Sequence, residues 1–340
     1  MKILLLAGGQ GSRLWPISTP EKPKQFHSFG QDESLLRSTF LRLQEFAPDD
    51  IYIVTLEEQK HHIKKHIPEI SKDHIITLPY AHDSAMGIAY GVHALRDFPN
   101  ETLVFLPSDH IISPPGAFCS FLKHAEIINQ KYQEYLITVG ISPTSPSSQF
   151  GYIHCEERVF DLSGTNAVFK VQAFLEKPEE SVAKKLLETK HVLWNAGFVI
   201  GTQKKLFKTY EKFGQEYLES LKNLEAFKNA PLLSFDYVIW EKMKGSTLCI
   251  PSNHQFSWND VGIWESIPDL EKKQKTVCVS SSGEIVSPKE LKNTAYSASG
   301  KNILTLGLED IVVIEGEEGI LVAKKENLSY IKRGIKKITE

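Results

Sequence analysis

Apolar positions in the first 140 residues fall into short unbroken runs, separated by stretches with helical spacing. "KILLLA" (2–7), "IYIVT" (51–55), "HIITL" (74–78), "TLVFLP" (102–107) and "YLITVG" (135–140) show little polar alternation and are rich in Leu and β-branched residues. Such runs predict buried strands. Between them, "ESLLRSTFLRLQEF" (33–46), "LEEQKHHIKKHI" (56–67), "SAMGIAYGVHALRDF" (84–98) and "GAFCSFLKHAEIINQ" (116–130) carry apolar faces at helix period. Alternation of this kind predicts βαβ units, hence an α/β, Rossmann-like domain with a mostly parallel mixed sheet flanked by helices. From about 150 to 265 the pattern turns α+β, with longer strands expected at "VFKVQAFLE" (168–176) and "VLWNAGFVI" (192–200). Beyond about 269, "KTVCVSSSGEIVS", "KNILTLGL", "DIVVIEGEEGILVA" and "SYIKRGIKKI" read as short strands between Gly, Ser and Glu turns, with little helix. The expected division is a domain at 1–268 and a small C-terminal β domain at 269–340.

Composition narrows the class without naming it. With 41% apolar and 24% charged residues, the chain of 340 residues can bury a sizeable core. A formal charge of −3 gives no electrostatic footprint for nucleic acid. No apolar run approaches membrane-spanning length, and the five residues from Ile3 to Ala7 are too few for a signal-peptide core. Cys119, Cys155, Cys249 and Cys278 are scattered without a CxxC pair, which argues against a zinc site or disulfide framework and fits a cytoplasmic protein. The basic runs 272–275 and 332–337 and the cluster His61, His62, His66 read as solvated faces.

The first strand delivers Gly8-Gly9-Gln10-Gly11-Ser12-Arg13, followed by Lys22 and Lys24 among three prolines. Glycines let backbone N–H groups approach an anion without an intervening Cβ, so the loop has the chemistry of a phosphate cradle. It is not a dinucleotide fingerprint, because Leu14 stands where the third glycine belongs, nor a P-loop, because no Gly-Lys-Ser/Thr follows. A tight glycine-rich packing turn is the alternative, and three nearby cations weigh toward a triphosphate. Asp109 follows a buried strand, where open α/β sheets place ligand groups, although "PSDH" also suits a helix cap. Asp260 in "WNDVG" is either a hard oxygen ligand for Mg²⁺ or a turn aspartate. Glu176-Lys177-Pro178 ends a strand and can hold a sugar phosphate, or be a surface strand end before a helix.

"LAGGQGSRLWP" with "PKQF" resembles the signature of the sugar-phosphate nucleotidyltransferases, and within them the guanylyltransferase branch that joins GTP to mannose-1-phosphate. "FLPSDHII", "FGYI", "FLEKPEE", "WNAGFVI", "SFDYVIWEK" and "WNDVGIW" follow in that family's order and spacing over about 265 residues. The resemblance implies direct displacement of pyrophosphate from GTP by mannose-1-phosphate, giving GDP-mannose for polysaccharide biosynthesis, with Mg²⁺ on Asp109 and Asp260 and with Arg13 and Lys24 as catalytic cations. It further implies nucleotide contacts at Leu6, Ala7, Gly8, Gly9, Gly11, Ser12, Arg13, Lys24, Asp83, Ser84, Ser108 and Asp109. Sugar-phosphate contacts fall at Gly151, Glu176, Lys177, Asn195 and Asp260. Asp236 also matches a family position, with a helix cap as the equal alternative.

The chain departs from the family at 82–87, where His82-Asp83-Ser84-Ala85-Met86-Gly87 replaces Arg-Asn-Thr-Ala-Pro-Ala. Asp83 is expected either to accept from guanine N–H groups or to cap the following helix. A different sugar phosphate or base, and a non-catalytic nucleotide-sugar-binding regulatory subunit, are the rival readings. The family suggests homodimers and a left-handed β-helix-like tail, and the length argues against an additional isomerase half.

Overall fold

The computed structural model describes residues 1–29, 31–159, 167–243, 245–267, 276–279 and 284–339. The expected division at 268/269 and the basic run 272–275 lie outside these residues. The chain divides into two compact units, Met1–Gly8 with Thr39–Trp258, and Gly9–Ser38 with Asn259–Glu340.

The strands of the first unit are β1 Lys2–Leu6, β2 Ile51–Leu56, β3 Ile75–Leu78, β4 Thr102–Pro107, β5 Ile111–Ser113, β6 Leu136–Ile141, β7 Tyr152–Val159, β8 Val168–Leu175, β9 Val192–Asn195, β10 Val199–Thr202, β11 Thr247–Pro251 and β12 Ser257–Asn259. α1, Leu35–Arg42, begins in the second unit and enters the first at Thr39; the helices of the first unit further include α2 Lys60–His66, α3 Ser84–Ala94, α4 Pro115–Lys131, α5 Glu180–Leu187, α6 Gln203–Phe213, α7 Gln215–Ser220, α8 Leu224–Asn229 and α9 Phe235–Val238. Ten strands form one sheet in the order β11-β8-β7-β9-β6-β10-β4-β1-β2-β3. β3, β2, β1 and β4 run parallel, joined by crossover connections that carry α1, α2 and α3. From β10 onward most pairings are antiparallel. The sheet is therefore mixed rather than mostly parallel. The cause is connectivity: β7 and β8 pair antiparallel directly with each other, an arrangement that needs no crossover connection.

β1, β2 and β4 are almost wholly buried, which is why their sequences run apolar without alternation. α3 covers one face, with Ala85, Met86, Ile88, Ala89 and Val92 inside a core that also takes Phe105, Tyr210, Phe235 and Trp240. The single strand expected at 192–200 is instead two. Gly197 sits at φ 73°, and its N–H donates to the Asn195 side-chain oxygen at 3.1 Å, so the chain turns between β9 and β10.

The second unit carries β13 Thr276–Val279, β14 Ile285–Val286, β15 Thr294–Ser297, β16 Ile303–Leu306, β17 Ile311–Gly316 and β18 Gly319–Lys324. They form two three-stranded sheets, β14-β13-β16 and β15-β17-β18. α10, Ile331–Thr339, replaces the strand expected at "SYIKRGIKKI". Ile331, Ile335 and Ile338 recur at i, i+4 and i+7, a helix period rather than an alternation.

Candidate active site

In the first unit, the end of β1 is fixed by its neighbours. Ala7 N–H donates to Val54 O at 2.7 Å, and Thr55 Oγ1 donates to Ala7 O at 3.1 Å. Ser108, just past β4, donates to Leu6 O through both its N–H (3.2 Å) and its Oγ (2.8 Å). Leu6, Ala7, Gly8, Ser108 and Asp109 thus gather at the carboxyl ends of adjacent parallel strands.

Asp109 does not cap a helix; β5 follows it, and α4 starts only at Pro115. The carbonyls of the two residues that flank Asp109 are held from α1. Thr39 Oγ1 donates to Ser108 O at 3.1 Å, and Arg42 Nη2 donates to His110 O at 2.9 Å. Arg42 is buried, and loss of solvation pushes its guanidinium down to about 10, still charged at neutral pH. Trp258 Nε1–H donates to His110 Nδ1 at 3.1 Å, so the neutral imidazole carries its proton on Nε2, 4.0 Å from Asp109 Oδ1. Sequence reasoning missed Thr39, Arg42, His110 and Trp258, because no local pattern marks a side chain that holds a distant carbonyl.

Gly151, Glu176, Lys177 and Asn195 also meet within this unit. Asn195 N–H donates to Gly151 O at 2.8 Å, and a Cβ on Gly151 would lie 2.5 Å from Glu176 Oε2. Glu176 is buried and ion-paired with the half-exposed Lys177, whose backbone holds a left-handed φ of 43°. Thr138 Oγ1 donates to Asn195 Oδ1 at 3.0 Å, and Asn195 Nδ2 donates to Asp236 Oδ1 at 2.6 Å. Asp236 lies inside α9 rather than ahead of it, so it is not that helix's N-cap. Burial, reinforced by the Glu176 charge, raises its carboxyl to about 7.

A carboxyl at about 7 in the fold and 3.8 when unfolded binds its proton more tightly in the native state. Its stabilising contribution is present at low pH and is lost as pH rises through about 7. Asp236→Asn removes that loss. Thermal melts should show the variant gaining on the wild type between pH 5 and pH 8. A melting difference independent of pH would contradict the assignment.

Asp83 occupies the N-cap of α3, its Oδ1 accepting from Ser84 N–H at 2.7 Å. Ser84 Oγ accepts from Phe235 N–H at 3.0 Å, which ties the start of α3 to the segment bearing Asp236.

In the second unit, Gly11 sits at φ 64°, and a Cβ there would collide with the Lys24 side chain and meet Ser18 Oγ at 2.9 Å. Only glycine combines that conformation with that approach. Leu14 is buried while Arg13 is exposed. Lys24 is 7% exposed, and its Nζ donates to Asp260 O at 2.7 Å. The loop carrying Asp260 is tightly turned, with Asn259 Oδ1 accepting from Val261 N–H at 2.8 Å and Asp260 Oδ1 from Gly262 N–H at 3.0 Å. Val261 is held at φ 50°, a costly region for a β-branched residue, worth on the order of 1–3 kcal/mol. Gly9, Gly11, Ser12, Arg13, Lys24 and Asp260 therefore share one unit, with Lys24 bonded directly to the Asp260 peptide.

Residues 2–276 match the family described as nucleotidyl transferase. The chain belongs to the nucleotidyl transferase family. The matched range runs from the first strand and glycine loop through "WNDVGIW". Among the curated relatives of this nucleotidyltransferase, mannose-1-phosphate guanylyltransferase 2 of Escherichia coli O157:H7 is 30% identical, across 97% of this chain and 72% of the relative. The alginate biosynthesis protein AlgA of Pseudomonas aeruginosa is 28% identical, across 98% of this chain and 71% of the relative. A solved structure described as a mannose-1-phosphate geranyltransferase from Thermus thermophilus superposes with a TM-score of 0.80 at 22% identity, covering 100% of this chain and 99% of that one. It shows a shared fold of mixed sheet and helices. Among the described residues, no helix is long and apolar enough to cross a membrane.

Proposed function

We propose that this nucleotidyltransferase transfers GMP from GTP to mannose-1-phosphate, giving GDP-mannose and pyrophosphate. The observation that carries the reading is the Escherichia coli relative, named for that activity and aligned over 97% of this chain. The charged set Arg13, Lys24, Asp109, Lys177 and Asp260 supports it. An oxygen of the sugar 1-phosphate bonds to the α-phosphorus of GTP as the bond to the bridging oxygen of the β-phosphate breaks. Pyrophosphate leaves with that electron pair. The attacking group is already an anion, so no protein nucleophile is required.

In this reading Leu6, Ala7, Gly8, Gly9, Gly11 and Ser12 admit the phosphates, and Arg13 and Lys24 offset charge on the departing pyrophosphate. Asp83, Ser84 and Ser108 serve the nucleoside. Gly151, Glu176, Lys177 and Asn195 hold the sugar phosphate. Asp109 and Asp260 offer hard carboxylate oxygens, a donor set that suits Mg²⁺ when substrate phosphates and water complete its shell. Asp109 is 28% exposed, so its carboxylate is accessible to such an ion. Bound there, Mg²⁺ would neutralise phosphate charge and polarise the α-phosphorus.

The α1 contacts then have a measurable consequence. Removing both with Thr39→Val and Arg42→Met is expected to raise the Mg²⁺ concentration for half-maximal turnover by about 10- to 100-fold in a folded protein. An unchanged Mg²⁺ requirement would remove α1 from the account.

The parallel pairing of β13 with β16 and of β15 with β17 supports a β-helix-like tail. Exposed Leu304, Leu306, Ile320 and Val322 on that tail support a homodimer. Four free, buried cysteines support a reducing, cytoplasmic setting. Pyrophosphate release, measured with mannose-1-phosphate and Mg²⁺ against GTP, ATP, dTTP and UTP in turn, tests the base. Release is expected with GTP, and release confined to another nucleotide would reassign it.

A further inference from the structure

The tail packs on the signature loop at its backbone. β17 and β18 form a hairpin in which Gly316 pairs with Gly319 across Glu317-Glu318. A Cβ on Gly316 would lie 2.7 Å from Pro16 O and 3.0 Å from both Pro16 C and Ile17 Cδ1. A Cβ on Gly319, at φ 152°, would lie 3.1 Å from the Trp15 ring. These two glycines bracket the Leu-Trp-Pro segment that directly follows Arg13.

Further contacts inside this unit point the same way. α10 packs against the Ser12–Leu14 turn, with Ile331 and Leu14 both buried. Trp264, four residues past Asp260, stacks on Tyr296 of β15 with centroids 6.3 Å apart and meets Phe29 edge-on at 6.1 Å. Lys24 bonds the Asp260 peptide. The Arg13, Lys24 and Asp260 segments thus rest on the β tail or on one another.

We propose that the 316–319 turn sets the position of the triphosphate loop, which makes Gly316 and Gly319 positioning residues for nucleotide binding. The inference rests on the reading of Gly9–Lys24 as the loop that holds the triphosphate. At Gly316 the contact is backbone against backbone, with no flexible side chain between. Pro16 has a fixed φ, so the loop has little freedom to absorb a shift. Close-packed contacts pass displacement on rather than damp it. A methyl group at 316 therefore moves Pro16, three residues from Arg13, and a misplacement of that order costs roughly 10- to 100-fold in a site of this kind.

The test compares Gly316→Ala and Gly316→Val with the wild type by equilibrium binding of GTP and, separately, of mannose-1-phosphate. If the wild type takes ATP, dTTP or UTP instead, that nucleotide is the probe; the base assignment then fails while the positioning test proceeds. Nucleotide affinity is expected to fall about 10-fold or more, further for Val than for Ala, with sugar-phosphate affinity and cooperative melting retained. Gly334→Ala, whose Cβ would meet nothing within 4 Å, is the control and should bind as the wild type does. Wild-type nucleotide affinity in folded Gly316→Ala overturns the proposal. So does an equal loss of both ligands, which marks general destabilisation. If Gly316→Val does not fold, Gly316→Ala alone decides.

Discussion

Asp109→Ala is expected to lower turnover by on the order of 10³-fold in a chain that still melts cooperatively. The carboxylate stands at the carboxyl end of β4, on a peptide whose two flanking carbonyls are held by Thr39 and Arg42. That support belongs to the backbone, so removing the side chain leaves those two bonds in place while deleting the charge. In the proposed reading, an Mg²⁺ held there would offset several kcal/mol of phosphate repulsion in the transition state. Steady-state kinetics over a Mg²⁺ titration separate the cases. A loss that high Mg²⁺ restores fully would make Asp109 an affinity determinant rather than a requirement of the chemical step. Turnover within a few-fold of wild type would remove it from the metal site.

Lys24→Met should cost roughly 10²-fold in turnover, the scale of one lost electrostatic stabiliser. The side chain is buried, and its ammonium holds Asp260 O at 2.7 Å. Methionine keeps the stem and its packing against Gly11 while deleting the charge and that bond. Lys24→Arg keeps the charge but enlarges the head in a confined place, and should recover only part of the rate. If both variants matched the wild type while folded, Lys24 would be a packing residue and the charge assignment would be wrong.

The parallel core was legible because strands buried on both faces carry continuous apolar runs: 102–107 was read residue for residue as β4. Strand order was not, since periodicity marks a strand without naming its neighbour: the α+β texture of 150–265 gives no sign of which strands pair antiparallel there. The split between β9 and β10 follows from one glycine in a left-handed conformation beside Asn195, a pairing that looked like continuous strand. At α10 the signal was present, in isoleucines at helical spacing, and the surrounding glycine and turn texture outweighed it. Among the site residues, the glycine loop announces itself through steric need, whereas Asp236 reads equally well as a helix cap, because its setting depends on partners 41 and 60 residues away, Asn195 and Glu176. Thr39 and Arg42 were illegible for the same reason: each serves a carbonyl that only the folded chain brings near.

The identity of the reaction is read from its nucleotide product. Incubating the protein with GTP, mannose-1-phosphate, Mg²⁺ and inorganic pyrophosphatase, then identifying the nucleotide product by mass spectrometry, tests it most directly. GDP-mannose is expected, formed in step with loss of GTP and absent when either substrate is omitted. GTP and mannose-1-phosphate left intact by a folded enzyme that couples another nucleotide and sugar phosphate would contradict it.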